Sequence, residues 1–333
     1  MTRRALVTGA TGGLGLALVE ALAEAGYTVR ATGRDLAAAD TLGALGARFI
    51  PADLTDPAAS ARLTRDVDVV FHAAALSSPW GDPAAFRAIN VEATDRLLAA
   101  AQAAGGDAFV FISTPSVYAE PRDRLGLTEQ SPLARRFANA YVATKHAAER
   151  RVLAANAPGF ATIALRPRAL VGPHDKVLLP RLVRVAKSGR FPLFRGGRAL
   201  IELTDVRDAA RAALAADRHR AEVAGQVFNI SGGAPAPVAD TLAAIFAALG
   251  LAVRLRRAPY APAALACRAM EAICARLPGR PEPPATAYSL STLAFSQTFD
   301  LAAATDRLGW RPRFTPGDAI ARTAEAWRTR AAV

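Results

Sequence analysis

The sequence predicts an α/β protein: a doubly wound parallel sheet with a smaller, mostly helical C-terminal lobe. Three observations carry this reading. Short apolar runs alternate with Ala/Leu-rich helical stretches through the first half of the chain, a glycine-rich turn joins the first run to the first helix, and Pro and Gly cluster repeatedly beyond residue 232. At 333 residues, about two domains of roughly 150 residues are expected. The chain is 52% apolar and 21% charged, which excludes a disordered or fibrous protein. Two Cys cannot form a disulfide framework, so a reducing compartment, the cytoplasm, is expected.

The apolar runs 5–8, 28–32, 48–50, 67–71, 109–112 and 162–165 are read as six strands. The stretches 14–25, 36–45, 57–63, 84–103 and 134–155 have the spacing of the helices that connect them. Beyond them, 199–203 and 226–230 are sheet-like and flank a helix over 206–216, while 178–188 reads as a further helix. This divides the chain into a dinucleotide-binding domain, residues 1–170 and 203–232, and a substrate-binding lobe, residues 171–202 and 233–333. The run 260–277 places Leu265, Met270, Ile273, Cys267 and Cys274 at helical spacing. Three readings are open for this stripe: an apolar pocket wall, ordinary core, or peripheral contact with a membrane surface. No stretch is long and apolar enough for an integral membrane span.

The net charge of +12 raises nucleic acid as a partner. Only Lys145, Lys176 and Lys187 among the 41 basic residues are Lys, and the Arg are scattered without a polybasic block. No nucleic-acid partner is therefore expected. His72, His146, His174 and His219 lack ligand spacing with Cys or carboxylates, and no metal site is expected.

The first strand runs into Gly9-Ala10-Thr11-Gly12-Gly13-Leu14-Gly15, and a helix follows at once. Gly9 permits the tight turn, Gly12 lets backbone N–H groups approach a pyrophosphate, and Gly15 lets the helix pack closely on the strand. Thr11, Gly13 and Leu14 complete a phosphate cradle at a helix N-terminus. This strand–turn–helix context is that of a Rossmann dinucleotide-binding site. An acidic residue at the end of the second strand would favour NAD. Here the chain reads Ala31-Thr32-Gly33-Arg34. A guanidinium at Arg34 can hold a 2′-phosphate, so NADP(H) is favoured over NAD(H). Asp53 and Leu54, after the third strand, are placed beside the adenine.

Tyr141 and Lys145 lie four residues apart and so share one face of a predicted helix. A neighbouring ammonium lowers a phenol's pKa toward a range useful for proton transfer, and Lys145 can also donate to the cofactor ribose. A hydroxyl at the end of the fifth strand would complete the set, with Ser113, Thr114 and Ser116 as candidates.

These pieces resemble the extended short-chain dehydrogenases/reductases, the NAD-dependent epimerase/dehydratase family. The resemblance rests on the glycine turn, Asp53-Leu54, Phe71-His72-Ala73-Ala74, Asn90-Val91, Ser113-Thr114-x-x-Val117-Tyr118, Tyr141-x-x-x-Lys145, Arg166-Pro167 and Leu308-Gly309-Trp310. It implies that Thr114 is the active hydroxyl, and that Ala73, Ala74, Ala75, Arg166 and Pro167 contact the cofactor. Sugar-nucleotide dehydratases carry Asp-Glu where this chain has Pro115-Ser116, which argues against dehydration. The family's substrate-diphosphate Asn falls here on Ala169, which weakens the alternative of a sugar epimerase. The 3β-hydroxysteroid dehydrogenase and 2-alkyl-3-oxoalkanoate reductase branch is the most similar. That similarity implies a ketone/alcohol oxidoreductase acting on a largely apolar carbonyl substrate, with Ser77, Trp80, Ser116 and Arg168 on the substrate side and Trp80 shielding the nicotinamide. It also implies a homodimer paired through two helices of each copy. A non-catalytic NADP(H) sensor is the competing class, but a sensor needs neither Tyr141 nor Lys145.

Overall fold

The computed structural model describes residues 2–175 and 177–331. Seven strands form one parallel sheet: β1 (Arg4–Thr8), β2 (Thr28–Thr32), β3 (Arg48–Phe49), β4 (Val69–His72), β5 (Ala108–Ile112), β6 (Ala161–Pro167) and β7 (Val227–Ile230). Their order is β7-β6-β5-β4-β1-β2-β3. The direction of winding reverses between β1 and β4, so a crevice opens at the C-terminal ends of these two strands, where ligands of such sheets bind. The seventh strand is the piece expected at 226–230, and it pairs with β6.

Helices cover both faces, which is why β4 and β5 are buried at every residue. Alternate side chains enter different cores. Val7, Phe71 and Val110 pack with Leu18, Val19 and Leu22 of the helix Gly13–Glu24. Leu6, Phe109 and Phe111 face Leu97, Ala148 and Val152 on the other side. A fully buried leucine such as Leu22 contributes about 1.5–3 kcal/mol. Trp310, within the range expected of the lobe, is buried in the sheet-side core and donates from Nε1 to the Asp208 carbonyl at 3.0 Å.

Two helices differ from expectation. The one expected from residue 134 starts at Ala140, because the Asn139 side chain accepts from the Val142 N–H at 3.0 Å and caps it there. The stretch 84–103 is interrupted by a π-helical segment, Ala88–Glu92, which turns Asn90 inward.

The second lobe has its own core, including Leu179, Leu182, Phe191, Leu242, Ile245 and Ile320. The helix Tyr260–Cys274 corrects one expectation. Leu265 is 69% exposed and Ile273 55%, and neither lines the cavity described below, so the stripe is no pocket wall. The inner face of this helix is occupied instead by Ala263 and Cys267, which pack toward the helix Ala287–Ala294. No helix among the described residues is long and apolar enough to cross a membrane.

Candidate active site

A cavity of ≈ 860 Å³ lies between the sheet's C-terminal edge and the second lobe. The glycine turn forms one end. Gly9 has φ +66°, and a Cβ there would stand 2.7 Å from the Ala74 nitrogen. A Cβ on Gly15 would stand 2.1 Å from the Gly9 carbonyl oxygen. Both positions therefore exclude any side chain, Gly9 also because L-residues rarely adopt its conformation. Gly12 starts the helix Gly13–Glu24 with no side-chain cap and no acidic residue in the first turn. The helix's N-terminal N–H groups are left for an anion. This is a cradle that a dinucleotide's phosphates fit.

Polar ties beneath the turn hold its neighbour in place. The Thr8 hydroxyl accepts from the Ala74 N–H at 3.3 Å and lies 2.7 Å from His72 Nδ1, while His72 Nε2 meets the Thr94 hydroxyl at 2.9 Å. Burial lowers the His72 pKa to about 3, so the ring is neutral. Asn90 accepts from the Leu76 N–H at 2.8 Å and donates to the Leu76 carbonyl and the Thr144 hydroxyl, each at 3.2 Å.

Of the expected cofactor residues, Thr11, Gly13, Leu14, Arg34, Asp53, Leu54, Ala73, Ala74, Ala75, Tyr141, Lys145 and Pro167 line the cavity with the three turn glycines. Arg34 is exposed, with its guanidinium 4.0 Å from the Asp53 carboxylate. The other Asp53 oxygen accepts from the Thr55 N–H and hydroxyl at 2.9 and 2.8 Å, which holds this carboxyl below its usual range.

Arg166 does not line the cavity. Its guanidinium is buried beneath the floor, bonded to both Glu149 oxygens at 2.8 and 2.5 Å and to the Tyr118 hydroxyl. It braces the helix Ala140–Ala154 against β6 instead of touching a ligand. Trp80 is also outside the lining, with its Nε1 donating to the Arg280 carbonyl at 3.0 Å. It ties the loop after β4 to the second lobe, so the expected shielding role is not its place.

At the other end of the cavity Tyr141, Lys145, Ser77, Ser113, Thr114, Ser116 and Arg168 meet. The Thr114 and Ser77 hydroxyls act on the Tyr141 phenol from nearby. Burial raises its pKa above the ordinary phenol value, the neighbouring Tyr288 adds to this, and the nearby Thr114 and Ser77 hydroxyls partly oppose it. The expected pull from Lys145 is absent from these causes. The ammonium is turned to the Ile112 carbonyl at 2.5 Å and lies 3.9 Å over the Phe111 ring. Burial lowers its own pKa to about 7, against the attraction of Glu149. Both groups are thus biased toward their neutral forms, which leaves Tyr141 holding a proton it can donate.

The Thr114 hydroxyl donates to Ser116 Oγ at 3.0 Å, and Ser116 Oγ lies 2.7 Å from the Tyr288 hydroxyl. Tyr288, on the helix Ala287–Ala294, was missed by sequence reasoning. It lies 120 residues or more from the other members, and no spacing links it to them. The rest of the lining includes the apolar Leu182, Val185, Phe194, Leu203, Leu290 and Leu293, together with the charged Asp175, Arg181, Arg184 and Glu282.

The sequence pattern of the NAD dependent epimerase/dehydratase family matches residues 5–231. The chain is 35% identical over 330 residues to a 2-alkyl-3-oxoalkanoate reductase of Stenotrophomonas maltophilia, covering 95% of this chain and 97% of that one. It is 34% identical over 313 residues to a 4-hydroxy-2-methyl-3-oxo-4-farnesyl-3,4-dihydroquinoline-1-oxide ketoreductase of Stigmatella aurantiaca, covering 94% and 93%. Among solved structures it is similar to MoeE5 in complex with UDP-glucuronic acid and NAD, with a TM-score of 0.74, 25% identity, and coverage of 98% and 99%.

Proposed function

The chain belongs to the NAD-dependent epimerase/dehydratase family of extended short-chain dehydrogenases/reductases, and from that premise we propose that this NAD(P)-dependent oxidoreductase interconverts a ketone and a secondary alcohol on a largely apolar substrate, with NADP(H) as its preferred cofactor. The observation that carries the reading is that Tyr141, together with Thr114 and Ser77, lines the same cavity as the glycine cradle.

The cradle residues and Arg34 would hold the dinucleotide, which supplies or accepts the hydride when bound. Tyr141 donates its proton to the oxygen of the ketone as that oxygen gains charge, and takes it back in the reverse direction. Thr114 hydrogen-bonds the same oxygen and so stabilises the developing alkoxide. Lys145 would hold the cofactor ribose, with an ammonium that burial makes easy to deprotonate. The apolar walls exclude water and receive the substrate's hydrocarbon part. Two relatives whose names describe reductases of 3-oxo compounds support this direction of chemistry.

The test is NADPH oxidation with a panel of bulky ketones. Tyr141→Phe is expected to lower kcat by about 10²- to 10⁴-fold while NADP⁺ binding, read by fluorescence, is kept. Turnover unchanged by the substitution would overturn the proton-transfer role. Arg34→Ala is expected to weaken NADP⁺ binding by about 10- to 100-fold, the loss of a charge-assisted hydrogen bond, and to leave NAD⁺ binding unaffected. An unchanged ratio would assign the preference elsewhere.

A further inference from the structure

A chain of hydroxyls runs from the candidate active site into the second lobe. Thr114 caps the short helical turn Pro115–Tyr118, so one lone pair of its Oγ1 accepts the Ser116 N–H at 3.2 Å. Its other contact is Ser116 Oγ at 3.0 Å, and Ser116 Oγ in turn lies 2.7 Å from the hydroxyl of Tyr288, a residue 172 positions further along the chain. Thr114 and Ser116 are buried, and both line the cavity with Tyr288. A hydroxyl has one proton to give and two lone pairs to fill. The Thr114 proton, which a ketone oxygen needs, is given to Ser116. The same 3.0 Å contact serves in the reverse direction, because only protons rotate between the two arrangements.

Whether Ser116 takes that proton or gives its own is decided at its far side. A phenol is a stronger acid than an aliphatic hydroxyl and so the better donor across the 2.7 Å contact. With a lone pair filled by Tyr288, Ser116 is left to donate to Thr114, and hydroxyls polarised in one direction strengthen each other. Resting on the ketoreductase reading, we propose that Tyr288 is a positioning residue for this reaction: its phenol donates to Ser116, Ser116 donates to Thr114, and the Thr114 proton is freed for the ketone oxygen. Without the phenol, Ser116 Oγ is a buried acceptor that competes with the ketone for that proton. No proton leaves its oxygen along this chain. The keto carbon gains a hydride from NADPH, its oxygen gains the Tyr141 proton, and Thr114, Ser116 and Tyr288 only turn. The second lobe thereby sets the direction of a hydrogen bond in the first.

The experiment follows NADPH oxidation with 2-dodecanone, octanophenone and 2-decalone, and uses the ketone that wild type reduces fastest. Tyr288→Phe should lower kcat about 10-fold, in keeping with one neutral hydrogen bond, and keep KM and NADP⁺ affinity within about 3-fold. Two double variants separate positioning from packing. Adding Ser116→Ala removes the competing acceptor and should return kcat to within about 3-fold of wild type, and in a Thr114→Val background Tyr288→Phe should change kcat by less than about 2-fold. Gln297→Leu is the structural control. It cuts the other tie from the second lobe to this segment, the Gln297 Nε2 bond to the Pro115 carbonyl at 3.3 Å, and should lower Tm but keep kcat within about 3-fold. An unchanged kcat in Tyr288→Phe, a loss that Ser116→Ala leaves uncorrected, or one that persists behind Thr114→Val would overturn the proposal. A rise in KM with kcat kept would make Tyr288 a substrate contact and likewise overturn it. Equal kcat losses in Gln297→Leu and Tyr288→Phe would reduce Tyr288 to a fastening between lobes. All of these outcomes leave the ketoreductase reading standing. Turnover of no ketone by wild type would remove that reading and this inference with it.

Discussion

Gly15 has no freedom at its position because the Gly9 carbonyl already occupies the space a Cβ would take. Gly26 makes a useful contrast: it has φ +82°, but nothing lies within 4 Å of an added Cβ. Gly15→Ala is expected to destabilise the fold by about 1–3 kcal/mol through overpacking and to abolish NADP⁺ binding, since the helix must move off the strand. Gly26→Ala should cost about 1 kcal/mol of backbone strain and leave binding intact. Urea melts and equilibrium titration check both, and equal binding by the two variants would show that the cradle is not set by Gly15. The same scale separates Arg166 from Arg168. They are alike in the sequence, but one is satisfied by Glu149 and the other opens to the cavity without a partner.

The helix Ala140–Ala154 carries the chemistry because of where it starts. Asn139 caps it, Tyr141 sits in its first turn, and Lys145 follows one turn later, so both project toward the cavity. Glu149 comes one turn further on, and its ion pair with Arg166 pins the same helix to the sheet. Asn139→Ala should therefore cost about 0.5–2 kcal/mol of stability and lower kcat more than it weakens NADP⁺ binding, because fraying displaces Tyr141 before it reaches the cradle. A fall in both by the same factor would point to a general loss of structure. The π segment Ala88–Glu92 acts in a comparable way. Asn90 reaches the Leu76 backbone and Thr144 only because the extra residue in that turn rotates it inward.

Acid sensitivity belongs to the whole molecule, since it arises where sheet, helices and loops close over titratable groups. His72 is buried with its pKa lowered to about 3, so the unfolded chain binds its proton first as pH falls. Stability from this group is fully present above about pH 6.5, its unfolded value, and declines down to about pH 3, by at most about 1.4 kcal/mol per pH unit. Glu149, held at about 2 by the Arg166 hydrogen bonds against its own burial, adds a second loss as pH falls from about 4.5 toward 2. Urea midpoints should fall steadily between pH 6.5 and 4.5, and His72→Gln should flatten that slope whatever its absolute stability. An unchanged slope would mean that other groups set the response. The two lobes are also fastened across the cavity by the Arg181 contact to Ser78, at 3.3 Å, and by Trp80 on the Arg280 carbonyl.

The sequence by itself determined the wound parallel sheet, the glycine turn at its first crossover and the pairing of Tyr141 with Lys145, because apolar period, glycine spacing and helical pitch act within short stretches of chain. The same local rules put Leu265, Met270, Ile273, Cys267 and Cys274 on one stripe, but the structure exposes the first three and turns the two Cys inward. Only the tertiary structure decided that Arg166 is a brace, that Trp80 joins the lobes, that the Lys145 ammonium points to Ile112 and that Tyr288 enters the site. A side chain's direction from its own backbone is a local property. Its partner, its desolvation and therefore its charge depend on other segments of the chain, from 17 residues away for Arg166 to 200 for Trp80.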